Sequence, residues 1–209
     1  ERRRLEAKIQ QQALHDTLTE LPNRRLLTHN LAQAMAGHRR SGLHGALMFL
    51  DLDNFKPLND THGHRVGDLL LVEVAHRLTR SVRETDTVAR FGGDEFVVLL
   101  GDLHADPQTS VELARGVAGK LLAALAEPYC LAVEQASGEV HAVEHRCTAS
   151  IGVVMFDGQA TEPDDLLKQA DMAMYRAKAA GRNTVWLAPI EPTAAASPAA
   201  TAEAGLTPG

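Results

Sequence analysis

Residues 46–53 read ALMFLDLD, and this short run limits the fold more than any other part of the chain. Successive side chains of a strand point to opposite faces, and here both faces are apolar until Asp51 and Asp53 arrive. A strand that is hydrophobic on both sides must be covered on both sides, so the run predicts a central strand between two layers of helix. Asp51 and Asp53, two residues apart, then share one face at the end of that strand.

A second constraint is RFGGDEFVVLL, residues 90–100. Strands over about 87–91 and 95–100 read as the arms of a hairpin, with Gly92-Gly93 as a turn that accepts positive φ without a Cβ clash. The pairing brings Asp94 and Glu95 beside the acids of the first strand. Around these pieces the spacing predicts helices at 23–38 (capped by Asn23), 65–83, 108–126 and 161–180, the last opened by a Thr161–Asp164 capping box and closed by Gly181. Residues 54–64, NFKPLNDTHGH, read as turn-rich. Residues 129–156 read as two strands joined by a loop near SGEV, and NTVWL as a last short strand. Alternation broken by a central hairpin predicts an α+β fold of the βαββαβ kind, with an additional hairpin, helix and strand toward the C-terminus.

The chain has 209 residues, 44% of them hydrophobic, which suits one substantial domain with an appendage. Residues 1–15 carry Leu5, Ile9 and Ala13 at helical spacing, which suits either a surface helix or the end of a two-stranded signalling stalk. Residues 16–188 hold the domain. Residues 189–209, rich in Ala, Pro and Thr, read as a disordered tail or interdomain linker. A net charge of −6 argues against binding a nucleic-acid polymer. Two cysteines without a CxxC motif, and no apolar stretch near the roughly 18 residues of a span, suit a cytoplasmic location, as a whole or as part of a larger, membrane-anchored protein. The start at Glu1 suits a piece of a longer chain.

Like-charged carboxylates at the rim of an apolar sheet are unfavourable unless a cation neutralises them. Oxygen ligands with no supporting His or Cys motif suit Mg²⁺ or Mn²⁺, and such an ion recruits phosphates.

Several segments in order resemble the GGDEF-domain diguanylate cyclases: DTLTELPNRR at 16–25, DLDNFKPLNDTHGHRVGD at 51–68, RETDTVARFGGDEF at 83–96, ASIGV at 149–153 and ADMAMYRAKAAGRN at 170–183. The resemblance implies a palm-like nucleotidyl cyclase fold that condenses two GTP into cyclic di-GMP and two pyrophosphates across a homodimer. It implies metal ligation by Asp51, Asp94 and the Leu52 carbonyl, with Asp94 and Glu95 catalytic. Phe55 and Lys56 amides and the cations Lys178 and Arg182 would hold phosphates, and Asn59 and Asp68 would read guanine. Arg83 and Asp86, an Arg-x-x-Asp pair, resemble the family's inhibitory site for cyclic di-GMP. An upstream sensory domain is expected, and a downstream domain is compatible with the tail.

Taken singly, several of these residues have plainer readings. Lys178 also suits a helix C-terminus, Asn59 a turn, Asp68 a first-turn charge and Arg83–Asp86 a surface pair. A non-catalytic receptor for GTP or cyclic di-GMP, and a cyclase with another product, are the alternatives at this point. Intact signature acids weigh against the first and Asp68 against the second.

Overall fold

The computed structural model describes residues 13–134, 140–158 and 162–189. Most of the predicted stalk, residues 1–12, and most of the predicted tail lie outside these, as do Thr161 and the loop at 135–139. Helix α1 (Arg24–Ser41) starts where Asn23 accepts from the Arg25 and Leu26 amides, and it ends at Gly42 with φ 69°. Strand β1 (Gly45–Asp53) follows, buried along its whole length. The expected turn-rich stretch is instead a helix, α2 (Phe55–His62). Pro57 sits in its first turn, where a backbone N–H has no intrahelical partner, so proline is compatible with helix there.

Helix α3 (His64–Ser81) leads to the hairpin of β2 (Thr87–Gly92) and β3 (Glu95–Leu100), and then to α4 (Pro107–Ala126). The predicted pair of strands over 129–156 is three: β4 (Tyr129–Glu134), β5 (Val140–His145) and β6 (Thr148–Phe156). The strand is interrupted at Arg146–Cys147, and among the described residues β5 pairs with β4 as a separate two-stranded sheet inserted before β6. Helix α5 (Pro163–Ala179) has Glu162 as its N-cap and Pro163 at its start, and β7 (Thr184–Leu187) closes the domain.

The main sheet has the order β2-β3-β1-β6-β7, with β1 central and antiparallel to both neighbours and β7 parallel to β6. The alternation of β1 divides the core in two. Met48, Leu50 and Leu52 pack with α3 and α4, while Leu47 and Phe49 pack with α1 and α5. Asp51 and Asp53 continue the second set, so both acids face the α5 side of the sheet.

Gly152 on β6 fixes how closely α5 approaches. A Cβ at that position would lie 2.1 Å from the Met174 amide nitrogen and 2.3 Å from the Ala170 carbonyl oxygen. The helix backbone therefore rests directly on the strand, and this sets the height at which α5 carries its charged residues over β1.

Candidate active site

The site gathers at the C-terminal end of β1. Residue 51 is paired with Glu95 on β3 and with Ser150 on β6, which puts the Asp51 and Glu95 side chains on the same face. The hairpin differs slightly from expectation. Strand β2 runs through Gly92, so Gly93-Asp94 forms the two-residue turn, and Gly93 (φ 52°) is the glycine there with positive φ. A register shift between Arg90 and Gly92 bulges the strand just before the turn. Asp94 thus stands at the hairpin tip, and its carbonyl accepts from the Leu52 amide at 3.3 Å.

Lys178 of α5 reaches down to this cluster, its Nζ 2.7 Å from Asp51 Oδ2. Burial pushes the Asp51 carboxyl above its usual range; the hydrogen bond from Lys178 opposes this, and the charges of Asp94 and Asp53 add to it. Glu95 is raised as well, first by burial and then by Asp51, Asp171 and Asp94. Asp171 was missed in the sequence. Its signal was helical phase, since it lies seven residues before Lys178 and so shares the α5 face that overlooks β1.

Asp53 has a different environment. Its carboxylate accepts from Thr148 Oγ1 at 2.7 Å, Ser150 Oγ at 2.8 Å and the Asn183 amide at 3.0 Å. It ties β1 to β6 and to the turn after α5, where Arg182 and Asn183 take φ values of 64° and 44°. Asp53 therefore holds the turn that presents Arg182. Sequence reasoning paired Asp53 with Asp51 by face and could not see these donors, which lie about a hundred residues away in the chain.

On the other side of β1's end, Phe55 and Lys56 open α2, and Asn54 (φ 60°) makes no side-chain capping bond to their turn. Phe55 is half-buried against the core and Lys56 is exposed. First-turn amides of this kind suit an anion. Asn59 follows on α2, and its Oδ1 is buried with no hydrogen-bond partner. That oxygen would lie 2.0 Å from a Cβ at position 67, so Gly67 of α3 makes the space Asn59 occupies. Asp68, next to Gly67, is exposed. Asn59 and Asp68, read as a pair in the sequence, therefore stand on two helices joined by a tight turn.

Arg83 and Asp86 lie away from this cluster, between α3 and β2. The Arg83 amide donates to Asp86 Oδ2 at 3.0 Å, and the Asp86 amide donates to the Arg83 carbonyl at 3.0 Å. The Arg83 side chain is exposed.

Among the described residues, no three His, Cys, Asp or Glu side chains converge as a ready-made metal cage. A Mg²⁺ ion is commonly held by one or two carboxylates together with substrate phosphates. Asp51 and Asp94, with the Leu52 carbonyl, are hard donors in an under-neutralised cluster where one ammonium already sits on Asp51. The residues present fit such an ion.

The architecture is palm-like, that of the nucleotidyl cyclases. Residues 13–184 match the family model described as diguanylate cyclase, GGDEF domain, and the chain belongs to the GGDEF family. It is 43% identical over 173 residues to the bifunctional diguanylate cyclase/cyclic di-GMP phosphodiesterase MucR of Pseudomonas aeruginosa, covering 83% of this chain and 23% of that protein. It is 40% identical over 179 residues to the diguanylate cyclase DgcP of the same species, covering 85% of this chain and 24% of the relative. The chain thus spans about a quarter of the length of these curated relatives. Among solved structures, the GGDEF domain of TpbB from Pseudomonas aeruginosa matches with a TM-score of 0.72 at 37% identity, covering 84% of this chain and 94% of that one. The coiled coil and GGDEF domain of DgcB from Caulobacter crescentus, in complex with cyclic di-GMP, matches with a TM-score of 0.74 at 27% identity, covering 90% and 91%.

Proposed function

We propose that this domain is a diguanylate cyclase, condensing two GTP into cyclic di-GMP with release of two pyrophosphates across a pair of facing chains. The observation that carries the reading is the crowded acidic cluster of Asp51, Asp94 and Glu95, with Lys178 paired to Asp51. Asp51, Asp94 and the Leu52 carbonyl would hold Mg²⁺, or Mn²⁺ in its place. When bound, the ion supplies Lewis-acid polarisation of the α-phosphate and eases deprotonation of the attacking 3′-hydroxyl.

The chain's own residues bind and orient. The first-turn amides at Phe55 and Lys56 receive phosphate oxygens. Lys178 and Arg182, at the end of α5 and on the turn held by Asp53, take the charge of the terminal phosphates. The Asn59 carboxamide, backed by Gly67, and the Asp68 carboxylate meet the guanine edge. Asp68 accepts from N1–H and the 2-amino group, donors that adenine lacks at those positions, which gives a base preference. Glu95, whose carboxyl is held above its usual range, is placed beside Asp51 to accept the proton of the incoming hydroxyl, with Asp94 at the tip of the turn.

One domain carries one nucleotide site, so the 3′-hydroxyl arrives on a second chain, and regulation acts on how the two meet. Accumulated cyclic di-GMP binds at Arg83 and Asp86, where an exposed guanidinium suits guanine O6 and N7 and the carboxylate suits N1–H and the 2-amino group. An upstream sensory domain would set the meeting of the two chains.

The test is product formation from GTP and Mg²⁺ over time. Wild type and Arg83→Ala should make cyclic di-GMP, Asp94→Asn should make none, and early slowing should appear in wild type alone. GTP binding without turnover by wild type and Arg83→Ala, at high protein concentration, would reassign the domain as a nucleotide receptor.

A further inference from the structure

The tip of the catalytic hairpin is poorly held by packing. A Cβ at Gly92 or Gly93 would meet nothing within 4 Å, and consecutive glycines have wide backbone freedom. Hydrogen bonds fix the turn instead. On one side, the Leu52 amide donates to the Asp94 carbonyl. On the other, Arg90 donates through Nε at 3.0 Å and Nη2 at 2.7 Å to the Gly93 carbonyl. That carbonyl belongs to the peptide unit that ends at the Asp94 nitrogen, so its orientation sets the direction from which the Asp94 side chain departs.

Arg90 is itself held from outside the hairpin. Its Nη1 donates to Asp16 Oδ1 at 3.0 Å and Oδ2 at 3.2 Å, and Asp16 also accepts from the Thr19 amide at 2.9 Å and hydroxyl at 2.7 Å. The side chains of Arg90 and Asp16 are 13% and 23% exposed, so the pair is shielded better than a surface ion pair. Residues 13–23 form a closed loop around Asp16. Its amide donates to the Leu21 carbonyl, the Asn23 amide donates to the Leu14 carbonyl, and His15 bridges Pro22. The same loop docks on the strand through a bond from the Arg90 amide to the Pro22 carbonyl at 3.0 Å. One arginine thus spans the loop by which the chain enters the domain and the peptide that carries Asp94.

We propose that Arg90 is a positioning residue for Asp94, and that its ion pair with Asp16 makes the geometry of the catalytic turn depend on the fold of the entry loop. A displacement of the chain where it enters the domain that strains residues 13–23 would then reach Asp94 through two side chains, alongside any effect on how chains pair. The link to activity rests on the cyclase reading, whereas the link to the turn does not.

The experiment uses the full 209-residue chain with Arg90→Ala, Arg90→Lys and Asp16→Asn. It measures amide hydrogen exchange of peptides covering the hairpin without nucleotide or metal, the Mg²⁺-induced rise in melting temperature, and the kinetics of product formation. Arg90→Ala should speed exchange at the tip, raise the Mg²⁺ concentration for half-effect severalfold, and lower kcat by about tenfold to a hundredfold, as a misplaced catalytic group does. Arg90→Lys, with one ammonium for two acceptors, should recover part of each. Asp16→Asn, which alters no residue of the hairpin, should still speed exchange there. Unchanged exchange and Mg²⁺ response in Arg90→Ala and Asp16→Asn would overturn the proposal, even if melting temperatures fall, because the ion pair would then only add stability. If wild type makes no product, the cyclase reading fails, and exchange and Mg²⁺ response still decide this one.

Discussion

Asp51 and Asp53 leave the same face of the same strand, yet their surroundings divide them. Asp53 faces two hydroxyls and an amide, all donors to a carboxylate, and it holds three parts of the fold together. Asp51 is penalised first by burial and then by the charges of Asp94 and Asp53, with the Lys178 ammonium opposing them. A buried acid satisfied by neutral donors is a structural tie. An acid crowded by other acids is held at a loss of stability that a bound cation can recover.

Exchanging the two roles gives the largest effect. Asp51→Asn should lower product formation by about a hundredfold or more, while leaving the metal-free melting temperature unchanged or raised. Asp53→Ala should do the reverse first. It strands the Thr148 and Ser150 hydroxyls and the Asn183 amide, lowering stability by about 2–4 kcal/mol, and it weakens GTP binding through the released Arg182 turn. Denaturant unfolding paired with steady-state kinetics on both variants checks this crossing. Equal losses of stability in the two would break the comparison.

Gly152→Ala should come next. With backbone of α5 at 2.1 Å from the added Cβ, the helix must move, and overpacking of this kind lowers stability by about 1–3 kcal/mol or more. Since α5 carries Lys178, KM for GTP should rise along with the loss of stability. A stable Gly152→Ala variant with unchanged KM would show that the helix height is not what places the lysine.

The smallest effect is a pH dependence. The folded-state values of Asp51 and Glu95 are raised, so as pH rises above the usual carboxylate range the unfolded chain loses these protons first. The metal-free domain therefore loses stability through the interval up to the raised values. Mg²⁺ should restore it, so the Mg²⁺-induced rise in melting temperature should be larger near neutral pH than at about pH 4. Asp16 has the opposite sign. Its donors Thr19 and Arg90 outweigh burial and lower its value, so its contribution is full above the unfolded value and is lost as pH falls through the folded one. A Mg²⁺ effect that does not vary with pH would show that the crowding at Asp51 and Glu95 is not what the ion relieves.

Much of this was legible in the residues. The two-faced apolar run at 46–53 gave the central strand and its helical layers, because strand alternation is a local rule that burial enforces. Asn23 as a cap and the hairpin at the signature followed from equally local chemistry. The turn lies one residue later than Gly-Gly implies, since the pair advertises positive φ at two positions and Gly93 is the one that uses it. The helix at Phe55–His62 was hidden by Pro57, whose tolerance in a first turn depends on where the helix begins. The split between β5 and β6 was hidden because pairing partners, not strand propensity, decide where one sheet ends and another starts.

The sequence alone determined the inventory: which acids, cations and glycines stand at which spacing, and through them the family, since those quantities are properties of neighbours along the chain. Only the tertiary structure decided which acid is satisfied by hydrogen-bond donors and which is left crowded by other acids. Asp51 and Asp53 are equivalent to any local rule, and the donors that separate them come from Thr148, Ser150 and Asn183 in one case and Lys178 in the other. Those partners lie about a hundred residues away, and electrostatic energy depends on distance through space, which is fixed only once the sheet and α5 have closed over β1.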